Sequence, residues 1–241
     1  MSTARINLIS GPRNISTALM YSFASRADTV VVDEPMYGYY LSQVNVDHPG
    51  RDKILKSLPR DMDTVLSSYF FQEVEASYLF IKGMAHHYEG IGDLSFLKKL
   101  SNVFLIREPK QLIASFAQVI KQPTLRDIGL KHEYELFSYL VEQGHDPIVL
   151  NSGHILQDPE QALQVLCDGI GIPFDRQMLQ WSMGPKPYDG VWAPYWYENV
   201  WKSTKFEKQK TSNRSFPKHL VPLLEEANYY YEQLSNHIIT A

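Results

Sequence analysis

The sequence has one cysteine, Cys167, which excludes an internal disulfide and any cysteine-rich metal site. It lies in an apolar helical pattern and is read as a core residue. Positive charge is not in excess: 23 lysines and arginines stand against 27 acids, a net charge of −4. That balance argues against sequence-independent binding of nucleic acid, while a local basic pocket stays possible. No apolar run reaches the length of a bilayer span, and no signal peptide precedes the first apolar stretch, so a cytoplasmic protein without membrane contact is expected. His86 and His87 adjoin, but no third ligand stands at a recognisable spacing, and no metal is expected. The GxxxxGK[ST] loop is also missing, which weighs against magnesium–ATP chemistry. Repeats, low-complexity segments and linkers are absent, so the 241 residues are read as one domain, 1–241.

What is present starts with Arg5–Arg26, RINLISGPRNISTALMYSFASR. Ile6, Leu8 and Ile9 form a short apolar run, Ser10-Gly11-Pro12 turns the chain, and Ile15, Leu19 and Phe23 then recur on one helical face. This reads as strand, tight loop and helix, with Asn14 or Ser16 placed to cap the helix. Unpaired N–H groups and the macrodipole make such a helix start an anion site. Arg13 adds a full charge, and Ser16 and Thr17 add hydroxyl donors, so a phosphate or sulfate ester is the expected ligand.

Further apolar runs, Thr29–Val32, Tyr78–Ile81, Asn102–Ile106 and Pro147–Leu150, alternate with helical patterns from Pro109, from Leu130 and from Pro159. Residues 217–237 read as a final helix. The fold class that follows is α/β, with a central parallel sheet covered on both faces. The β-branched Thr29–Val32 run predicts a strand buried on both faces. In such sheets, ligands bind beyond the carboxyl ends of the strands. There the sequence places the Arg13 loop, Asp33 and Glu34, Lys82 and Arg107, each directly after an apolar run. Residues 36–62, with Tyr37, Tyr39 and Tyr40, are read as an excursion beside the site.

These residues resemble the sulfotransferase superfamily. SGPRNIST is similar to its 5′-phosphosulfate loop, with Arg13 where a lysine is usual, which assigns Gly11, Pro12, Arg13, Asn14, Ile15, Ser16 and Thr17 to the donor. FLIREPKQLIASF resembles its 3′-phosphate motif, which assigns Arg107 and Ser115, the serine about one turn into a helix. DPEQALQVLCDGIGIPFD resembles the helix and proline turn that follow the fifth strand. The resemblance implies a single-domain, three-layer α/β/α fold of P-loop NTPase-like type. It implies 3′-phosphoadenosine 5′-phosphosulfate (PAPS) as donor, the 3′,5′-bisphosphate (PAP) as product, no required metal, and a small-molecule acceptor with a hydroxyl or amine. Lys82 resembles the strand-three lysine that touches the transferred group. Two candidates match the family's bases: Glu34, just after strand two, and His86, four residues past Lys82. Glu34 is favoured, on a strand expected to neighbour the phosphate loop, with Asp33 pointing the other way by strand alternation. Trp201-Lys-Ser-Thr204, within 192–210, matches the family's late loop only weakly, and surface packing reads as well; Asn151–His154 is assigned no role. An ATP-dependent phosphotransferase or kinase, and a non-catalytic nucleotide-binding homologue, are the alternative readings.

Overall fold

The computed structural model describes residues 3–46, 48–118, 120–207 and 216–240. Five parallel strands, β1 (Ala4–Ser10), β2 (Thr29–Asp33), β3 (Tyr78–Met84), β4 (Ser101–Ile106) and β5 (Ile148–Asn151), form one sheet in the order β2-β3-β1-β4-β5. Helix α1 (Ser16–Ala24) carries the chain from β1 to β2, and α2 (Tyr37–Gln43), α3 (Arg51–Ser57) and α4 (Met62–Val65) lie between β2 and β3. Helices α5 (Pro109–Phe116), α6 (Leu125–Ile128) and α7 (Leu130–Glu142) join β4 to β5. After β5 come α8 (Ser152–Gln157), α9 (Pro159–Ile170), α10 (Ala193–Trp196), α11 (Glu198–Trp201) and α12 (Val221–Ser235). Leu220, read as part of the last helix, sits in the 3-10 turn before it.

Alternation along the strands builds the three layers. Ile6 and Leu8 of β1 pack with Leu19 and Phe23 of α1 and Leu163, Leu166 and Cys167 of α9. Ile9 faces the other way, into a cluster with Leu112 and Ile113 of α5, Leu140 of α7 and Leu234 of α12.

Three expectations are corrected here. The Thr29–Val32 run is the outer strand of the sheet and Val30 is 38% exposed, so its β-branched residues reflect strand propensity more than two-sided burial. Strand β2 does not neighbour β1: β3 lies between them, because α1 crosses one strand position beyond β1. Neither Asn14 nor Ser16 caps α1. Its N-cap is Ile15, with φ 54° and no side-chain cap, and the Asn14 amide is drawn inward to donate to the Leu105 carbonyl.

Beneath the first loop, Glu133 of α7 is fully buried and its Oε1 accepts the Gly11 N–H at 3.0 Å. Burial pushes this carboxyl well above the usual range, and the Gly11 N–H pulls the other way. Gly11 has no room for a side chain, since a Cβ there would lie 2.4 Å from the Ile128 carbonyl oxygen. Gly11→Ala must therefore shift the loop or the end of α6. The expected loss is about 1–3 kcal/mol, or several degrees of melting temperature at roughly 2–4 °C per kcal/mol, read by calorimetry. An unchanged melting temperature would contradict this packing.

Candidate functional site

A cavity of about 450 Å³ opens at the carboxyl ends of β1 to β4. Pro12, Arg13, Asn14, Ile15, Ser16, Thr17, Arg107 and Ser115 line it together with Glu34, Lys82 and His86. Gly11 lies behind the wall, with its amide committed to Glu133 rather than turned to the cavity.

One group of residues gathers positive charge at the loop after β1. Arg13 and Ile15 both hold left-handed backbone, φ 56° and 54°, which non-glycine residues adopt at a cost on the order of 1 kcal/mol or more. The Leu105 carbonyl of β4 and the side chain of the residue after the strand keep the loop in that shape: Leu105 accepts from the Asn14 amide, and Arg107 donates to the Arg13 carbonyl at 2.6 Å. Arg13 Nε donates to Ser115 Oγ at 3.3 Å. Ser115 is the penultimate residue of α5, nearly two turns from its start, deeper than the single turn expected. Burial lowers the pKa of both guanidinium groups, and the Arg13 charge adds to the effect at Arg107. Two adjoining, half-buried cations favour an anion between them.

The other group centres on Lys82, which lies inside β3 rather than after it, 1% exposed. Its ammonium donates to Asp33 Oδ1 at 3.0 Å, to Glu34 Oε1 at 2.5 Å and to the Tyr197 hydroxyl at 2.7 Å. Asp33 and Lys82 are register partners in β2 and β3, so they share a face. Glu34 was expected on the opposite face from Asp33, and the structure corrects this. Glu34 has φ 42°, which breaks the alternation and brings both carboxylates to one ammonium. The turn is pinned by the Glu34 amide donating to the Lys82 carbonyl at 2.7 Å and by the Tyr37 amide donating to the Glu34 carbonyl at 3.0 Å, which starts α2.

Burial raises the Glu34 pKa, the Lys82 charge opposes that, and Asp33 adds to the rise. Burial alone would lower the Lys82 pKa, but the two carboxylates outweigh it and the value is raised. His87 is buried 4.0 Å from Glu34 Oε2 and stacks on Tyr37 and Tyr40, with ring centroids 4.3 and 4.9 Å away. Burial keeps both histidines neutral, that of His86 with a pKa near about 3.

The excursion and the C-terminal segment close the site. Tyr37, Tyr40 and His48 line the cavity from the first, Trp196, Tyr197 and Lys205 from the second. Trp192 and Tyr197 are buried within the site, so surface packing is not their role; residues 208–210 of that segment lie outside the described residues. Tyr197, Trp192 and Glu133 were not legible as site residues. An aromatic-rich segment was the available signal for the first two. A lone glutamate in an otherwise apolar helical face was the signal for the third.

Removing the central cation has a directional consequence. In Lys82→Met, Asp33 and Glu34 stay buried without their shared cation, at an expected cost of about 3–5 kcal/mol near pH 8. Their native-state proton affinity then rises above that of the unfolded chain, so stability increases as pH falls from 8 to 5. The wild type keeps its Lys82 contribution up to pH 10.5, the unfolded value, and loses it only as pH climbs through the raised folded value. Urea midpoints of the variant at pH 5 and 8 check the first sign, and a variant no more stable at pH 5 would refute the account.

With this geometry in view, comparisons with known proteins are informative. A family model described as a sulfotransferase domain matches residues 4–235. Branched-chain-amino-acid aminotransferase-like proteins 1 and 2 of Arabidopsis thaliana are 36% and 34% identical over 229 and 233 residues, 95% and 97% of this chain but 41% and 42% of theirs. The chain thus spans less than half the length of these curated relatives, whose names describe much longer proteins. A sulfotransferase domain from the curacin biosynthetic pathway superposes with a TM-score of 0.60 at 15% identity, covering 99% of each chain, which is agreement in fold. The family match over nearly the whole chain shows that the chain belongs to the sulfotransferase domain family.

Proposed function

We propose that this chain transfers a sulfuryl group from PAPS to a hydroxyl or amine of a small-molecule acceptor. The observation that carries the reading is a single cavity holding both a twin-arginine anion site and a carboxylate–ammonium cluster. The Pro12–Thr17 loop and Arg13 would take the 5′-phosphosulfate, and Arg107 with Ser115 the 3′-phosphate. The acceptor atom bonds to sulfur as the bond from sulfur to the bridging phosphate oxygen breaks, and the electron pair leaves with PAP. Glu34 takes the acceptor's proton, its raised pKa bringing it closer to the working range of a base. Protonation cancels the charge of Glu34, so Lys82 loses one of its two carboxylate partners as negative charge builds on the bridging oxygen. His86, a neutral imidazole on the cavity wall, is the competing base.

The donor assignment separates two nucleotides. Arg107→Ala should weaken PAP tens-fold more than AMP, about 2–3 kcal/mol for a charge-assisted contact, any loss shared by both nucleotides reporting the Arg13 carbonyl that Arg107 also holds, as read by thermal shift and calorimetric titration. Equal losses for both nucleotides would remove the 3′-phosphate from Arg107.

The base assignment separates two residues. Glu34→Gln should lower turnover by roughly 100- to 10,000-fold, with PAP affinity nearly constant. His86→Ala is the comparison. Turnover lost in His86→Ala and kept in Glu34→Gln would make the histidine the base.

A further inference from the structure

Two carboxylates and one ammonium make a group with one negative charge to spare, and the two acids are held very differently. Asp33 does not reach the cavity wall, and its side chain is 1% exposed. Its Oδ1 accepts from Lys82 at 3.0 Å, its Oδ2 accepts from the Gly190 amide at 3.2 Å, and the Tyr197 hydroxyl lies 2.9 and 2.8 Å from the two oxygens. Tyr197 has one proton to give. Lys82 and Trp192 Nε1 donate to its oxygen, at 2.7 and 3.2 Å, so its own proton goes to Asp33. Glu34 lines the cavity instead. Its Oε1 accepts from Lys82, and its Oε2 has the His87 ring nitrogen 4.0 Å away.

We propose that Asp33 and Tyr197 are positioning residues: Asp33, clamped by Tyr197 and the Gly190 amide, holds the Lys82 ammonium against one oxygen of Glu34 and leaves the other oxygen for the acceptor's proton. This rests on the reading of Glu34 as the base. It goes beyond that reading by dividing the two acids into an enclosed partner of Lys82 and one that faces the cavity. The groups facing Glu34 are Asp33 from β2, Lys82 from β3, His87 from the turn after it, Tyr37 from α2 and Tyr197 after α10, with His86 against His87. Of these, Asp33 opposes ionisation of Glu34 and Lys82 favours it, while the Tyr197 proton, given to Asp33, offsets part of the Asp33 charge. Neutralising Asp33 and removing the Tyr197 hydroxyl must therefore move Glu34 in opposite directions.

The test is a carbon-13 NMR titration of the full chain with labelled glutamate side-chain carboxyls, the Glu34 signal being assigned by its loss in Glu34→Gln. In Asp33→Asn the proton affinity of Glu34 should fall by about tenfold or more, as expected for removing an adjacent like charge. In Tyr197→Phe it should rise, because Asp33, without the Tyr197 proton, then competes harder for Lys82. Substitutions that merely loosened the fold would not move the two midpoints apart. Shifts of the same sign, or no shift in either variant, would overturn the proposal. If Asp33→Asn does not fold, Tyr197→Phe decides alone, a rise supporting the proposal and its absence refuting it. The titration needs no acceptor and no turnover, so its outcome is independent of the kinetic test of Glu34 as base.

Discussion

The Lys82 ammonium, enclosed by Asp33, Glu34 and Tyr197, is the contact on which the site depends. Burying a charge is costly unless partners replace its water, and here each N–H has an oxygen within 3.0 Å. The partners come from distant parts of the chain: the end of β2, the interior of β3 and the segment between α10 and α11. One cation therefore ties the outer strand, its neighbour and the C-terminal cover together. Such a cluster is weak evidence for stability, since apolar residues could fill the space as well. Its persistence in the interior, opening onto a cavity with an anion site, points to chemistry.

The anion loop is preorganised by a different means. Arg13 and Ile15 hold backbone angles that a free peptide would leave, and the loop is gripped from three sides, by Arg107, Asn14 with Leu105, and Glu133. Donors fixed before a ligand arrives do not have to be ordered on binding, which is where preorganisation contributes affinity. Arg13 takes part twice, through its carbonyl and its guanidinium, so the shape of the loop and the charge in it are coupled.

Much of this was legible in the sequence, for a physical reason. Parallel strands covered on both faces are near-continuous apolar runs, so β1, β3, β4 and β5 stood out, and the polar residues at their ends marked the crevice. The order of the strands was not legible, because an apolar run carries no mark of its neighbour. Thus β2 was placed beside β1, although β3 lies between them. Asp33 was set aside by a rule of alternation that one residue in a left-handed turn, Glu34, does not obey. Tyr197 was hidden for another reason: its role comes from a contact with Asp33 across 164 positions, and no local pattern records such a contact.

The insertion of β3 between β1 and β2 bears on how the chain reaches its fold. Strands β1 and β2 are joined by a short helical crossover, yet they never pair. Between them lies a slot one strand wide, so their backbones stand roughly 10 Å apart, twice the usual interstrand spacing. A chain emerging from the ribosome as far as residue 77 has both rims of that slot and nothing to bridge them. Closure waits for residues more than 40 positions further on, which must thread in and hydrogen-bond on both sides at once. The first structural unit to become self-supporting is then not the β1-α1-β2 segment with its anion loop but the larger assembly that includes β3, and the loop acquires its shape late, through long-range order rather than local preference.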